Sequence, residues 1–233
     1  MKKLIFTLAV LVWVFSVKAQ DNELSFSVGG DLVSSYVWRG ALAASASIQP
    51  AAGLSIAGFS LSAWGSTDIT SGDYKEVDFT AGYSIAGLSL AVTDYWWMGE
   101  RNYKYFNHDS ESTDHLFEFT VGYTLPVEKF PLSLTWNTMF AGADVKKGAD
   151  DKRAYSTYIE AKYPFAIKDI ALEASLGLTP GKSLYAEKAS VASIGLKAIK
   201  NIKISDGFSL PVYGQILTNP RSEDIFFVFG ITL

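Results

Sequence analysis

The sequence predicts an all-β protein, a transmembrane antiparallel up-and-down barrel of about twelve strands, with roughly ten to fourteen possible. Three observations predict it. The chain ends on an alternating, aromatic-rich segment at 224–233. Short and long connections alternate along the rest of the chain. No stretch after Val17 is apolar for long enough to cross a membrane as a helix, so a membrane-embedded chain must cross as strands.

The terminal segment carries the strongest signal. Ile225, Phe227 and Phe229 lie on one face of an extended strand, and Phe226 and Val228 lie on the other. A soluble protein that ended on such a strand would risk edge-to-edge aggregation, whereas a closed barrel removes the edge. The segment resembles the terminal strands by which barrel-assembly machinery recognises outer-membrane barrels, so this machinery is an expected partner. A buried last strand of a soluble sandwich remains the alternative.

The first residues have the pattern of a secretory leader. Lys2 and Lys3 precede an apolar run that ends at Val17, and Ala19 offers a small residue for cleavage. We therefore expect a signal peptide at 1–19 and a mature domain at 20–233, with a retained N-terminal anchor as the alternative. The chain has no Cys, so an exported fold must do without disulfides. Its net charge is −4, and removal of the leader makes it more acidic, which argues against nucleic-acid binding.

Alternating segments fill the mature region. The predicted strands lie near 24–38, 45–56, 59–66, 76–85, 88–97, 115–125, 131–141, 154–163, 169–178, 189–199, 207–217 and 224–233. Within 76–85, Val77, Phe79 and Tyr83 alternate with Asp78 and Thr80. A sandwich would turn the polar face to water, and a barrel would turn it to the lumen.

The connections separate these two architectures. Ala57-Gly58 and Ala86-Gly87 are short turns of one design, whereas 99–114 and 142–153 are long and charged. Because the two kinds alternate, all long loops fall at one end of the sheet, as expected of an outer-membrane barrel in a Gram-negative bacterium. An even strand count would place both termini in the periplasm.

Aromatic side chains are predicted to form two belts at the ends of the apolar band, in contact with outer-membrane lipid. Packing in the core of a sandwich would explain the face on which they lie but not the belts. The long-loop belt comprises Tyr36, Trp38, Trp96 and Tyr155, and the short-turn belt comprises Tyr83, Tyr123 and Tyr163.

Three early segments, DLVSSYVWRG at 31–40, IQPAA at 48–52 and GFSLSAWGS at 58–66, resemble the TorF family of porin-like proteins, also described as the Gcw_chp domain of unknown function. The resemblance covers roughly residues 31–66 and implies an outer-membrane barrel that forms a pore. It implies no catalytic residues.

Inward-facing charges are the candidate lumen and mouth residues. If water fills the lumen, the excess of acids predicts a mild preference for cations; the same charges could instead pair across a narrow barrel and seal it. Arg39 could hold the mouth by bidentate pairing with Asp31 or Asp78, or could be a solvated rim residue. The full set is Asp31, Arg39, Asp78, Glu118, Glu160, Lys162, Glu173 and Lys197.

No catalytic motif accompanies these charges. His108 and His115 lie in or beside the longest loop with several acids, but their spacing fits no strong metal-ligand pattern. A barrel hydrolase would need such a His paired with Ser or carboxylates at the membrane rim. We therefore expect no enzymatic activity and no cofactor. The first hypothesis is a passive channel for small solutes; the alternatives are a plugged structural or adhesive barrel acting through its outer loops, and a barrel hydrolase.

Overall fold

The computed structural model describes residues 23–98, 104–109, 112–128, 130–145 and 152–233. The predicted leader at 1–19 lies outside these residues. Every regular element in the described part of the chain is a β-strand. The strands are β1 (Ser25–Val33), β2 (Tyr36–Trp38), β3 (Ala41–Ala44), β4 (Ser47–Ile56), β5 (Phe59–Asp68), β6 (Lys75–Ile85), β7 (Leu88–Trp97), β8 (His115–Thr124), β9 (Ser133–Gly142), β10 (Thr157–Ile167), β11 (Ile170–Thr179), β12 (Ser190–Lys203), β13 (Ser209–Asn219) and β14 (Asp224–Thr232).

Twelve of these strands form one closed antiparallel barrel in the order β1-β14-β13-β12-β11-β10-β9-β8-β7-β6-β5-β4. Each strand pairs with its neighbour in the chain, and β14 returns to β1 to close the ring, so the up-and-down barrel predicted from the sequence is confirmed. The seam is short, because Asp31 to Val33 are the residues of β1 in register with β14. Two further hydrogen bonds join the backbones of Gly30 and Leu233 below them.

The alternation of the sequence becomes the two faces of the wall. Phe79 points outward and is 46% exposed, whereas its neighbour Asp78 points inward and is 8% exposed. In β14, Phe227 and Phe229 are outward and Val228 is inward and buried. Successive side chains of a strand point to opposite faces, so an alternating sequence makes an apolar exterior and a mostly polar interior.

The predicted turns at Ala57-Gly58 and Ala86-Gly87 are confirmed. In both turns the two residues have positive φ angles, 49° and 86° in the first and 50° and 86° in the second. This is the twist of a two-residue hairpin that matches the twist of the flanking strands, and Gly adopts the second position without steric cost.

The first predicted strand, 24–38, is wrong in its second half. β1 ends at Val33, and β2 pairs with β3 in a separate two-stranded sheet. At the break, the backbone N–H of Phe229 donates to the Ser34 hydroxyl (2.9 Å) instead of to a backbone carbonyl. The side chain of Ser34 thus ends the ladder with β14, and the following residues leave the wall.

Candidate functional site: the mouth of the barrel

The residues between β1 and β4 fold into the lumen at the long-loop end, which we call the mouth. We call residues 36–44, strands β2 and β3 with their turn, the plug hairpin. The turn is Arg39-Gly40, with φ angles of 49° and 81°, nearly those of the Ala-Gly turns at the opposite end. Arg39 therefore stands at the tip of the hairpin.

Aromatic rings of the plug hairpin pack against aromatic rings of the inner wall. The Tyr36 ring lies 5.4 Å from that of Trp64 on β5. Trp38 contacts the rings of Tyr95 at 5.8 Å and Trp97 at 5.5 Å, both on β7. Such tilted and edge-on arrangements stabilise aromatic pairs beyond the area they bury, by about 0.5–1.5 kcal/mol each.

Tyr36 and Trp38 are therefore not members of an outer aromatic belt, and that prediction is wrong. It assumed that the alternation of β1 continues to residue 38. Because the chain leaves the wall at Ser34, the alternation of inward and outward side chains in β1 does not predict the direction of these two rings. They lie half-buried inside the mouth.

Arg39 pairs with Glu118 on the inner face of β8. The two contacts, Nη1 to Oε2 at 2.6 Å and Nη2 to Oε1 at 2.7 Å, form a bidentate pair. Tyr95 donates a third bond to Glu118 Oε1 at 3.0 Å. The bidentate geometry fits the prediction, but the partner is neither Asp31 nor Asp78. Glu118 is 1% exposed, and a charge so buried is stable only when it is paired.

Three aromatic rings surround the Arg39 guanidinium. Its central carbon lies 4.7 Å from the centre of the Trp38 ring, 4.8 Å from that of Tyr158 and 5.4 Å from that of Tyr185. Arg39 Nη1 also donates to the Tyr185 hydroxyl. Burial alone would lower the pKa of Arg39, but the charge of Glu118 outweighs it and raises the pKa above its usual value. The guanidinium is therefore charged in this site.

The tip of the hairpin also contacts β12 and β13. The side-chain amide of Asn219 on β13 donates to the carbonyl oxygen of Gly40 at 3.0 Å. A Cβ atom at Gly40 would lie 1.9 Å from the carbonyl oxygen of Ala192 on β12, so the fit admits only glycine. Val37 packs against the buried cluster of Val33, Leu217 and Val228. The plug hairpin therefore crosses the mouth from the β1–β4 side to β8, β12 and β13.

Two buried carboxylates lie beside Tyr36. Glu76 accepts hydrogen bonds from the Tyr74 hydroxyl at 2.6 Å and from Trp97 Nε1 at 2.5 Å. Asp78 is also buried, and its Oδ1 has no hydrogen-bond partner among the described residues. Asp78 is hydrogen-bonded to Glu76 and does not hold Arg39.

The other predicted lumen charges lie below the plug hairpin on inward-facing positions. Lys162 pairs with Glu160 at 3.1 Å. Glu173 is in register with Lys197, whose Nζ lies 3.6 Å above the centre of the Tyr213 ring. The Tyr213 hydroxyl makes a long bond of 3.4 Å to Asp31 Oδ2. The lower lumen is thus a polar chamber with charges of both signs.

The remaining belt residues lie on the outside of the wall. Tyr83, Tyr123 and Tyr163 occupy outward positions near the short turns; Tyr83 contacts Phe59 and Tyr163 stacks on Phe165. Tyr155 is 59% exposed at the long-loop end. Trp96 also points outward, but it is 5% exposed, because Tyr105 and His115 cover it. Trp96 is therefore on the predicted face, but Tyr105 and His115 separate it from the outer surface of the barrel.

The cover over Trp96 is segment 104–109, which we call the outer strap. His115 Nδ1 contacts Asp94 Oδ1 at 2.6 Å, and His115 Nε2 contacts the carbonyl oxygen of Tyr105 at 2.5 Å. The Tyr105 hydroxyl donates to Asp94 Oδ2 at 2.8 Å, and burial with this carboxylate raises the pKa of Tyr105 to about 12. Asp94 therefore has a partner although it faces outward.

This arrangement differs from a hydrolytic site. A histidine that activates a serine needs one ring nitrogen directed at the hydroxyl. In His115 both nitrogens are engaged, by a carboxylate and by a backbone carbonyl, and the residue is 0% exposed. Across the described ranges, no group of three or more His, Asp or Glu side chains could hold a metal ion. The centre of the His108 ring lies 4.7 Å from that of His115, and the two rings are tilted to each other.

A vestibule lies among the loops at the long-loop end of the barrel. This cavity of about 500 Å³ is bounded by Trp97 and Leu116 on the inner wall and by two loop segments. Its charged lining residues are Asp114, Asp144, Lys182 and Glu187, an excess of acids. In the part of the chain that the structure describes, no helix is long and apolar enough to span a membrane.

No protein-family model matches this chain, and no curated protein is significantly similar to it in sequence. The resemblance of residues 31–66 to the TorF family therefore has no support beyond the segments that suggested it, and it stays a prediction.

Proposed function

We propose that this protein is a barrel of a Gram-negative outer membrane whose mouth is closed by the plug hairpin, and that it passes small solutes when the hairpin leaves the mouth. The observation that carries the proposal is the bidentate pair between Arg39 and Glu118, which fastens a segment from one side of the barrel to the opposite wall. Membership of a TorF-like porin family fits this proposal.

The exterior supports the membrane location. Large apolar side chains, including Phe26 at 73%, Val28 at 90% and Phe229 at 66%, are exposed on the outside. Each square ångström of apolar surface left in water costs about 25 cal/mol, so this band favours lipid. In this orientation the long loops face outward, both termini are periplasmic, and the strand at 224–233 is presented to the barrel-assembly machinery.

The interior supports conduction once the mouth is open. Below the plug hairpin the inward side chains are mostly small, polar or charged, as in the faces of β6 and β11. Arg39 is paired with Glu118, and Asp78 is buried and hydrogen-bonded to Glu76. The remaining candidate charges are Asp31, Glu160 and Glu173 against Lys162 and Lys197. The excess of acids favours cations over anions.

The test is ion conductance in planar bilayers with and without the plug hairpin. Val33 and Ser47 are register partners, so residues 35–45 can be replaced by Asn-Gly without stretching the wall. We expect brief, rare openings from the intact mature chain and stable, cation-favouring steps from the shortened chain. A control variant, Ser71→Asn, places the same Asn-Gly pair in the β5–β6 loop and should behave as the intact chain does.

Continuous conduction by the intact chain would contradict closure by the plug hairpin. Silence of both chains, when both insert, would remove the channel from the proposal. It would favour the second candidate, a structural or adhesive barrel that acts through its outer loops, which is motivated by the same sealed mouth. Neither candidate includes enzymatic activity or a cofactor.

A further inference from the structure

We infer that the site occupied by Arg39 is a binding site for solutes that carry a guanidinium group, with Arg39 as a ligand tethered to the plug hairpin. We call the wall residues Glu118, Tyr95 and Tyr158, together with Tyr185 of the loop before β12, the guanidinium cage. Binding at this site is independent of the proposed function. Only its consequence, that an arriving solute releases the hairpin, rests on that function.

The cage is built without the hairpin. Tyr95 is on β7, Glu118 on β8 and Tyr158 on β10, and Tyr185 belongs to the loop before β12. The Tyr158 ring is fixed by its seat over Gly177, where a Cβ atom would lie 1.8 Å from the hydroxyl. A site whose walls are held by the barrel keeps its shape when its occupant leaves.

The chemistry of the cage selects a guanidinium. Both carboxylate oxygens of Glu118 receive parallel N–H donors, which a planar fork supplies and a single ammonium does not. The rings of Tyr158 and Tyr185 lie close to the cation, and the Tyr185 hydroxyl accepts a further bond. Because Glu118 is 1% exposed, the empty cage would hold a buried unpaired charge.

The vestibule lies beside the cage, because several of its lining residues are close neighbours of cage residues in the chain. Trp97 lines the vestibule and follows Tyr95 by two positions on the inner face of β7. Leu116 also lines it and precedes Glu118 by two positions on the inner face of β8. The lining acids Asp114, Asp144 and Glu187 outnumber the single base Lys182. Lys182 pairs with Glu187 at 3.0 Å, so Asp114 and Asp144 leave the vestibule negative. A negative cavity beside a buried carboxylate raises the local concentration of cations.

The experiment measures binding to the refolded mature protein in detergent, by calorimetry and by tryptophan fluorescence. The probes are methylguanidinium and agmatine, and methylammonium is the control cation. Arg39→Ala should bind methylguanidinium at least about tenfold more tightly than methylammonium, a difference of about 1.4 kcal/mol. The wild type should bind it at least about tenfold more weakly than Arg39→Ala, because Arg39 competes at the high effective concentration of a tethered group.

The double variant Arg39→Ala/Glu118→Gln should lose this binding. If that protein does not refold, Arg39→Ala/Tyr158→Leu serves the same purpose by removing a ring. Absence of methylguanidinium binding to Arg39→Ala, equal binding of methylammonium, or full binding by the double variant would each overturn the inference. Binding in detergent is independent of conduction, so the inference can fail while the channel proposal stands, and the reverse.

Discussion

Asn219 and Gly40 are joined by a hydrogen bond of 3.0 Å although 179 positions separate them in the chain. Asn219 is 4% exposed, and its amide reaches the carbonyl at the tip of the plug hairpin from the wall of β13. A strand near the C-terminal end of the chain thus helps to hold a hairpin that lies near its N-terminal end.

Replacement of Asn219 by Ala should loosen the closed mouth. It leaves the buried Gly40 carbonyl without its donor, at a cost of about 1–3 kcal/mol. We expect more frequent openings in planar bilayers with unchanged conductance per opening. An unchanged opening frequency would mean that the tip is held without this bond.

Gly40→Ala should prevent the hairpin from seating, because the new methyl group would collide with the carbonyl of Ala192. Gly72→Ala is the matched control. Gly72 has a φ of 74°, close to the 81° of Gly40, but nothing lies within 4 Å of its added Cβ. Backbone strain is therefore similar in both variants, and only the first should open the channel. Equal conductance of the two variants would contradict the claim that the hairpin closes the mouth only when glycine occupies position 40.

Arg39→Lys should weaken closure although it retains the charge, since an ammonium cannot form the two parallel bonds to Glu118. Arg39→Ala, which leaves Glu118 buried and unpaired, should weaken it further, by about 3–5 kcal/mol. The chain contains no Cys, so a single Cys introduced at Val37 can report plug exposure by its rate of thiol labelling. We expect the slowest labelling in the wild type, faster labelling in Arg39→Lys and the fastest in Arg39→Ala. Lys197→Ala, which removes a lumen cation below the plug hairpin, should leave the rate unchanged.

The outer strap should detach when its link to Asp94 is cut. Asp94→Asn removes the charge that faces His115 at 2.6 Å and weakens the bond from the Tyr105 hydroxyl. Trypsin should then cleave after the exposed Lys104 faster, by about fivefold or more, for an assumed loss of about 1 kcal/mol. Tyr105→Phe, which cuts one of these bonds alone, should give a smaller increase. Equal cleavage of all three proteins would show that other contacts hold the strap.

The seam between β1 and β14 should fail when the last four residues are removed. Gly230, Ile231 and Thr232 supply the register partners of β1, and Leu233 supplies two more backbone bonds. We expect truncation after Phe229 to abolish heat-modifiable gel mobility, the usual sign of a closed barrel. Removal of Leu233 alone should lower the temperature of the mobility change and retain the folded form.

Sequence alternation was sufficient to predict the wall. The strand predicted at 88–97 has the observed bounds of β7, and the inward positions of Asp78 and Glu118 follow from parity. This alternation could not show that the chain leaves the wall at Ser34, because a strand that turns into the lumen has the same alternating pattern as a strand that remains in the wall. The Arg39-Gly40 pair resembles the Ala-Gly turns and was a usable sign of a hairpin. Its partner Glu118, 79 positions away, depends on closure of the barrel and could not be read from local pattern.

The register pairing of Val33 with Ser47 makes residues 35–45 a cassette, a segment that can be exchanged without changing the wall. The wall of the barrel, its hull, is hydrogen-bonded on either side of this segment, through Ser34 to Phe229 and through Ala46 to Ile69, so its ladder does not depend on the residues inserted between them. Sequence drift in the cassette can therefore alter what the mouth admits while the hull and its assembly remain as they are. One scaffold of this kind could be refitted with hairpins of different tips to admit different solutes.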